Sequence, residues 1–364
     1  MYEKLVYFRD EADHVRQLLM QEPRGRPAQC MNMILAPCDP RADVGFLTLE
    51  SDEYPPMSGA NTVATATVLL ETAMVEMKEP TTVIKLEAPA GLVTVTADCE
   101  NGKCKAVAFD NVPAFVYELD YKVEVPGIGT VSVDIAWGGM HYVLVDAASV
   151  SLTITHEYGY GPELIKVGEK IKLAVQKAYK PVHPDNPDIQ GVTILEFTEL
   201  LKDGPDGSKI ARNTVVVSPG RLDRSPCGTG TSARMAVLYA RGWLKVGQIF
   251  RHKSIIDTEF VCEILSETNV GSFKAILPRV KGRAWLTGFR QAMLDPLTRF
   301  LVVFALETTG MFQRQAQIRM HQICTAQIAE RINVFSVYSK SRPEHNALAR
   351  IKASMLFMGN SKPV

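Results

Sequence analysis

The sequence lacks long apolar runs and a net charge. No window approaches the roughly eighteen uninterrupted apolar residues of a membrane-spanning helix, and residues 1–4 do not resemble a signal peptide. The 40 basic and 40 acidic side chains cancel, so no global field favours nucleic acid or an anionic membrane. We therefore expect the partner to be a small molecule or a second copy of the chain, as in a homodimer.

Cysteine is also scarce, with seven residues in a chain of 364. An odd count without a dense framework predicts a reducing compartment, so we expect the protein in the cytosol. Cys99 and Cys104 flank the pair Asn101-Gly102, which is a strong hairpin signal. One cysteine pair without nearby histidines is weak evidence for a metal site, so we predict a hairpin there and no bound metal.

One stretch has the features of a reactive site. Residues 223–231 read Asp-Arg-Ser-Pro-Cys-Gly-Thr-Gly-Thr and lead directly into a helical pattern over residues 232–244. A cysteine just ahead of a helix lies beside unpaired backbone N–H groups and the positive end of the helix dipole. This setting predicts a lowered pKa for Cys227 and a thiolate able to act as a base near neutral pH.

The glycines around this cysteine indicate ligand binding. Gly228 and Gly230 allow close approach of the backbone to a carboxylate or phosphate, and Thr229 adds a hydroxyl donor. The alternative is a turn followed by a small buried cysteine near a helix cap. For an isolated Cys-Gly pair this structural interpretation is the better one.

The chain contains the same element twice, which favours the functional interpretation. Ser58-Gly59-Ala60-Asn61-Thr62 aligns without a gap on residues 227–231, so that Ser58 falls on Cys227 and Gly59 on Gly228. An internal repeat predicts two similar units. If the two units face each other, Ser58 and Cys227 lie on opposite sides of one cleft, each at a helix N-terminus.

These two loops resemble the signature loops of the proline racemase family, which includes hydroxyproline epimerases and trans-3-hydroxy-L-proline dehydratases. The resemblance runs from about residue 5 to about residue 297. Supporting matches are Glu22-Pro23-Arg24-Gly25, Asn111-Val112-Pro113-Ala114-Phe115, Val133-Asp134-Ile135-Ala136-Trp137-Gly138-Gly139 and Gly282-Arg283-Ala284-Trp285-Leu286-Thr287-Gly288. The form Pro-Met-Ser-Gly-x-Asn-Thr resembles the serine/cysteine branch of the family. Ala60 departs from the family pattern, which usually has histidine or serine there.

The resemblance implies proton abstraction from Cα of a hydroxyproline without a cofactor or metal, with Cys227 as the base. The backbone amides of Gly59, Asn61, Gly228, Thr229 and Gly230 would hold the substrate carboxylate. Ala60 lies in the same loop as these amides. Asp223 would lie at the ring nitrogen or an exposed edge of the substrate, although a turn carboxylate is an equal alternative.

Ser58 decides which reaction is expected. A serine hydroxyl without a partner is a poor base, so symmetrical two-base racemisation of proline is disfavoured. Dehydration of trans-3-hydroxy-L-proline is the first expectation, and 4-hydroxyproline 2-epimerisation or proline racemisation is the alternative. A catalytically impaired family member is a further alternative. A nucleophilic hydrolase is disfavoured because no histidine has a motif spacing to Cys227.

For the fold we expect an α+β protein with two pseudo-symmetric lobes, as in proline racemase and diaminopimelate epimerase. Each lobe is a curved, mostly antiparallel sheet around a central helix. Residues 1–120 form the predicted N-terminal lobe, with the family's first strand apparently missing, and residues 121–297 form the C-terminal lobe. Residues 298–364 lie beyond the resemblance and are predicted to be a disordered or aberrant tail. A strand is also predicted at residues 284–288.

Overall fold

The computed structural model describes residues 1–292 apart from 27, 52, 218 and 219, together with three two-residue strands beyond them. The α-helices are α1 Tyr2–Glu11, α2 Asp13–Met20, α3 Gly59–Glu71, α4 Tyr160–Ala178 and α5 Gly228–Ala240, and a 3₁₀ helix spans Ala147–Val150. Every helix in this part of the chain is too short or too polar to cross a lipid bilayer.

The strands outnumber the helices. They are β1 Met31–Leu35, β2 Val44–Leu49, β3 Thr81–Ala88, β4 Gly91–Glu100, β5 Lys103–Asp110, β6 Ala114–Val125, β7 Gly129–Trp137, β8 His141–Asp146, β9 Val182–His183, β10 Asn186–Gln190, β11 Ile194–Thr198, β12 Lys202–Asp203, β13 Lys209–Val217, β14 Arg221–Leu222, β15 Ile249–Lys253, β16 Glu259–Val270, β17 Phe273–Gly282, β18 Arg290–Gln291, β19 Val303–Phe304, β20 Gln315–Ala316 and β21 Asn333–Val334.

Most strands belong to one curved sheet of 15 strands. Strands β6, β7, β8, β11, β13, β15, β16 and β17 pair in that order, and β17 pairs with β6 again, which closes a ring. Strand β17 also pairs with β5 and so joins the ring to the sheet of β1 to β5. The pairings are antiparallel except for β2–β3, β8–β11 and β13–β15.

Each part of the sheet packs around one helix. Helix α5 lies inside the ring, where Val237 packs with Tyr142 of β8 and Leu238 packs with Phe250 of β15. Helix α3 packs on β4 and β5, with Leu69 in one buried cluster with Phe109. The structure therefore has the predicted fold class, with a central helix against a curved sheet in each half.

Strand β11 shows how the ring positions its side chains. Successive side chains of a strand point to opposite faces. Leu195 and Phe197 accordingly pack with α4 on the outside of the ring, while Ile194 joins the cluster around α5. All five residues of β11 are buried, and the single charged residue among them, Glu196, lies on the α5 face.

Several predicted elements agree with the structure. Strands β1 and β2 have the predicted bounds, and Cys99 pairs with Cys104 across a hairpin in which Asn101 has φ 55° and Gly102 φ 70°. The predicted strand at residues 284–288 is wrong, because this segment has no strand pairing in the described part of the chain. The lobe boundary near residue 120 stays a prediction. The predicted tail, residues 298–364, lies outside the described residues except for three short strands.

Candidate active site

The first turns of α3 and α5 are in direct contact. A Cβ atom built on Gly59 would lie 2.7 Å from Cα of Gly228 and 2.5 Å from Cζ of Phe109, and contacts below 3.0 Å essentially never occur for real Cβ atoms. Neither glycine has space for a side chain. Ser58 and Cys227 are the N-cap residues of these two helices, so each is one residue away from the contact.

The backbone of Cys227 is strained and held in place. Its φ of 61° and ψ of 113° are unusual for a residue with a side chain and cost about 1–3 kcal/mol. The carbonyl of Pro226 accepts hydrogen bonds from Asn213 Nδ2 at 2.7 Å and from Thr231 Oγ1 at 3.1 Å. The N–H of Cys227 donates to Ser225 Oγ at 3.1 Å. Side chains from β13, α5 and the loop thus fix the direction of the thiol.

Two hydroxyl groups lie near the sulfur of Cys227. Tyr142 Oη lies 3.2 Å from Sγ, and Thr229 Oγ1 lies 3.8 Å from Sγ. Burial raises the pKa of the Cys227 thiol, and the negative charge of Asp223 raises it further, although Tyr142 and the N–H of Gly230 act in the opposite direction. The predicted lowering of the Cys227 pKa is therefore wrong, because burial and the charge of Asp223 outweigh the effect of the helix terminus.

Asp223 forms the turn that precedes Cys227. Its Oδ1 accepts hydrogen bonds from the N–H of Ser225 at 2.8 Å and from Ser225 Oγ at 2.9 Å. Burial raises the pKa of Asp223, while these two bonds and the nearby Arg221 lower it. The structure thus shows the turn interpretation of Asp223, whose carboxylate also acts electrostatically on Cys227, and a contact of Asp223 with the substrate stays a prediction.

Ser58 is the end of a chain of hydrogen bonds. Thr48 Oγ1 donates to Asn32 Oδ1 at 3.1 Å, Asn32 Nδ2 donates to Asn61 Oδ1 at 3.0 Å, and Asn61 Nδ2 donates to Ser58 Oγ at 2.8 Å. The amide of Asn61 gives a hydrogen to the serine oxygen and cannot take one from it. The hydroxyl of Ser58 is therefore a weak base and keeps its own hydrogen available for donation.

The remaining predicted residues of the first loop contribute backbone and apolar contact. The Ala60 methyl group is half-buried and packs on the core cluster around α3, so it brings no hydrogen-bonding group. In α5, Gly228, Thr229 and Gly230 are all buried in the first turn. The N–H groups of a first turn have no partner within their own helix, so the amides of Gly228 and Thr229 can bind an anion, whereas the amide of Gly230 already interacts with Cys227 Sγ.

A buried polar group lies beneath α5 and was not predicted from the sequence. Glu196 is fully buried, and its Oε1 accepts a hydrogen bond from Asn213 Nδ2 at 3.0 Å. Its Oε2 lies so close beneath Gly230 that a Cβ there would be 2.6 Å away. Burial raises the pKa of Glu196 to about 8. The signal in the sequence was one glutamate within an apolar strand.

His252 completes this group from β15. Its Nδ1 lies 2.9 Å from Thr231 Oγ1, and its Nε2 lies 3.8 Å from Glu196 Oε1. The ring is fully buried, which lowers its pKa well below the ordinary value and keeps it neutral. Within the described residues, no three His, Cys, Asp or Glu side chains are grouped as metal ligands.

An ion pair connects the two halves of the sheet beside the Asp223 turn. Arg221 of β14 donates to the carboxylate of Glu50, which follows β2, and both side chains are largely buried. Arg221 Nη1 also lies 3.7 Å from Cys30 Sγ. Residues far apart in the chain are thus joined next to the two helix termini.

Known proteins resemble this chain over most of its length. The sequence profile described as proline racemase matches residues 1–302. A 4-hydroxyproline 2-epimerase of Rhizobium rhizogenes (strain K84) is 40% identical over 296 residues, which cover 81% of this chain and 84% of the relative.

Two crystal structures are similar in fold and sequence. A probable proline racemase from Agrobacterium radiobacter K84, with bound carbonate, has a TM-score of 0.76 and 39% identity and covers 82% of this chain and 86% of its own. A hydroxyproline epimerase from Agrobacterium vitis, with bound trans-4-hydroxy-L-proline, has a TM-score of 0.75 and 39% identity over 81% of this chain and 85% of its own. The chain therefore belongs to the proline racemase family.

Proposed function

We propose that this protein is a 4-hydroxyproline 2-epimerase in which Cys227 and Ser58 serve opposite faces of the substrate. The observation that carries this proposal is the contact between Gly59 and Gly228, the residues that directly follow Ser58 and Cys227 in the chain. The similarity to known proteins supports this proposal, since the relative at 40% identity is a 4-hydroxyproline 2-epimerase. Dehydration of trans-3-hydroxy-L-proline, the first expectation from the sequence, becomes the second candidate.

The carboxylate of the substrate would lie between the two helix termini. Removing the α-proton of an amino acid leaves negative charge that spreads into the carboxylate, so preorganised N–H groups are most valuable there. The candidates are the backbone amides of Gly59, Asn61, Gly228 and Thr229, while the amide of Gly230, also expected there from the sequence, interacts with Cys227 Sγ. Two helix dipoles directed at one anion would add to the same stabilisation.

Asp223 would couple substrate binding to the charge of Cys227. The negative charge of Asp223 raises the pKa of the thiol. A hydroxyproline carries a positively charged ring nitrogen, and pairing it with Asp223 would neutralise that effect. Binding of the correct substrate would then itself favour the thiolate, because an opposite charge nearby stabilises a charged group and a like charge destabilises it.

The proton transfers then balance as follows. The Cys227 thiolate takes the α-proton, so the Cα–H bond breaks, an S–H bond forms and the electron pair moves into the carboxylate system. Ser58 gives its hydroxyl hydrogen to the opposite face of Cα. Water then protonates the serine oxygen, and the hydroxide that remains takes the proton from the Cys227 thiol, which restores both groups. The hydrogen bond from Asn61 Nδ2 at 2.8 Å stabilises the negative charge that develops on Ser58 Oγ.

The environment of Ser58 also keeps dehydration open as a second candidate. Because Asn61 makes Ser58 a donor, the hydroxyl can protonate a leaving group as readily as a carbon. With trans-3-hydroxy-L-proline, Cys227 would take the α-proton, the C3–O bond would break, and the leaving oxygen would depart as water with the proton from Ser58. The same two residues therefore serve either reaction, and the substrate decides between them.

The test is incubation of the purified protein with trans-4-hydroxy-L-proline in deuterated water. We expect deuterium at Cα and formation of the epimer, and we expect Cys227→Ser to abolish both. Cys38→Ser is the matched control, because Cys38 is exposed and should leave the rate unchanged. Formation of a pyrroline product from trans-3-hydroxy-L-proline alone would select the dehydratase. Binding of pyrrole-2-carboxylate without turnover of either substrate would contradict both and identify an impaired family member.

The cytosolic location and the homodimer stay predictions. Sedimentation of the purified protein tests the second of them directly.

A further inference from the structure

Tyr142 is a fully buried tyrosine whose hydroxyl lies next to the sulfur of Cys227. It belongs to β8, on the face of the ring that contacts α5. Its Oη lies 3.2 Å from Cys227 Sγ and 2.7 Å from Thr229 Oγ1. The ring packs so closely on Gly230 that a Cβ there would be 3.2 Å from Cε1. A buried tyrosine hydroxyl normally has a hydrogen-bond partner, and here both partners belong to the site.

We propose that Tyr142 is a positioning residue that stabilises the thiolate form of Cys227 by donating its hydroxyl hydrogen to Sγ. This inference rests on the proposed role of Cys227 as the base and adds a group that none of the sequence motifs contains. Tyr142 acts through Cys227 and not on the substrate, because its hydroxyl is enclosed beneath the first turn of α5.

The two hydrogen bonds of Tyr142 can reverse with the charge on sulfur. A thiolate has no hydrogen, so the hydroxyl of Tyr142 must donate to Sγ, and Thr229 can donate to Tyr142 Oη. After Cys227 has taken a proton, its S–H can donate to Tyr142 Oη, and Tyr142 can then donate to Thr229 Oγ1. Only hydroxyl and thiol hydrogens rotate, so the arrangement suits both steps of a proton transfer.

Burial supports this role. It raises the pKa of the Tyr142 hydroxyl well above its ordinary value, so Tyr142 keeps its hydrogen at any working pH. The ionisable groups that face it are Cys227, the N-cap of α5, and Glu196 of β11, and a negative charge on either raises the pKa of Tyr142 further. Tyr142 thus remains a hydrogen-bond donor while the neighbouring thiol gains and loses its proton.

The experiment compares the wild-type enzyme with Tyr142→Phe, a substitution that removes the hydroxyl and keeps the ring. The first readout is the rate of alkylation of Cys227 by iodoacetamide against pH, followed by mass spectrometry of the peptide that contains Cys227. We expect the midpoint to move up by about one pH unit or more, since hydrogen bonds to charged groups are the strong ones. The second readout is kcat, which should fall about tenfold near neutral pH and recover as the pH rises, with KM nearly unchanged.

Tyr117→Phe is the matched control. Its hydroxyl contacts His141 Nε2 and the carbonyl of Val182, each at 3.0 Å, so it makes hydrogen bonds of comparable length at a less buried position. This variant should leave the alkylation midpoint unchanged. If Tyr142→Phe does not fold, Thr229→Val and Thr229→Ser replace it, because only valine removes the hydroxyl that supports Tyr142.

The outcomes separate the inference from the proposed function. An unchanged alkylation midpoint in Tyr142→Phe would overturn the inference, as would a loss of kcat that does not recover at high pH. A shifted midpoint in a protein that turns over no hydroxyproline would support the role of Tyr142 and count against the proposed function alone.

Discussion

The contact between the two helix termini makes Gly59→Ala the most informative substitution. The added methyl group would lie 2.7 Å from Cα of Gly228, so the helix ends must separate by about 0.7 Å to reach ordinary contact at 3.4 Å. Overpacking of this kind costs about 1–3 kcal/mol, but alanine in place of glycine returns up to about 1 kcal/mol of helix propensity. The net loss of stability is therefore about 0–3 kcal/mol.

Activity should respond much more strongly than stability. A displacement approaching 1 Å between reacting groups can reduce the rate about 10²-fold. We expect deuterium incorporation into trans-4-hydroxy-L-proline to fall by about this factor. The thermal unfolding midpoint should fall by at most about 2–4 °C per kcal/mol, because this shift becomes smaller as chains become longer.

The control for this substitution is Gly288→Ala. Among the described residues, no atom lies within 4 Å of the position that its Cβ would take, so both stability and activity should stay at the wild-type values. If Gly59→Ala incorporates deuterium at the wild-type rate, the two termini do not need their close contact, and the argument for paired groups on opposite faces is refuted.

Two further predictions concern the groups on either face of the substrate. Ser58→Cys should raise epimerisation or racemisation relative to dehydration, because a thiol can serve as a base where serine mainly donates; an unchanged product ratio would show that Ser58 does not choose the reaction. Asp223→Asn should move the alkylation midpoint of Cys227 to lower pH, since the negative charge of Asp223 raises the pKa of the thiol, and it should also raise KM. Asparagine keeps an oxygen that can accept the hydrogen bonds from Ser225. An unchanged alkylation midpoint would show that Asp223 does not raise the pKa of Cys227.

Local patterns predicted the elements that contain the site. The two loops at residues 58–62 and 223–231 do begin central helices, and the Asn101-Gly102 hairpin has the pairing that its turn residues require. Each of these depends on residues close in sequence, where capping and turn chemistry decide the structure. The wrong strand at residues 284–288 shows the limit, because alternating residues form a strand only where another strand offers its backbone.

The group beneath α5 could not be predicted in the same way. Glu196, Asn213 and His252 come from three strands, β11, β13 and β15, and the pairings β11–β13 and β13–β15 bring them together. No spacing in the sequence records such a contact. The pairing register of the sheet, and not any motif, places Asn213 between Glu196 and the carbonyl of Pro226.

The same distinction explains the pKa of Cys227. The helix terminus that favours a thiolate is visible in the sequence. The burial that opposes the thiolate depends on the complete ring of strands, and the position of Asp223 near the sulfur depends on the turn that it forms with Ser225. A permanently charged thiolate in this position would repel Asp223, and no cation of the described residues is among the groups that act on its pKa. A thiol that loses its proton only when a cationic ring nitrogen neutralises Asp223 avoids that cost. The raised pKa is therefore compatible with a base, provided that the substrate brings the positive charge.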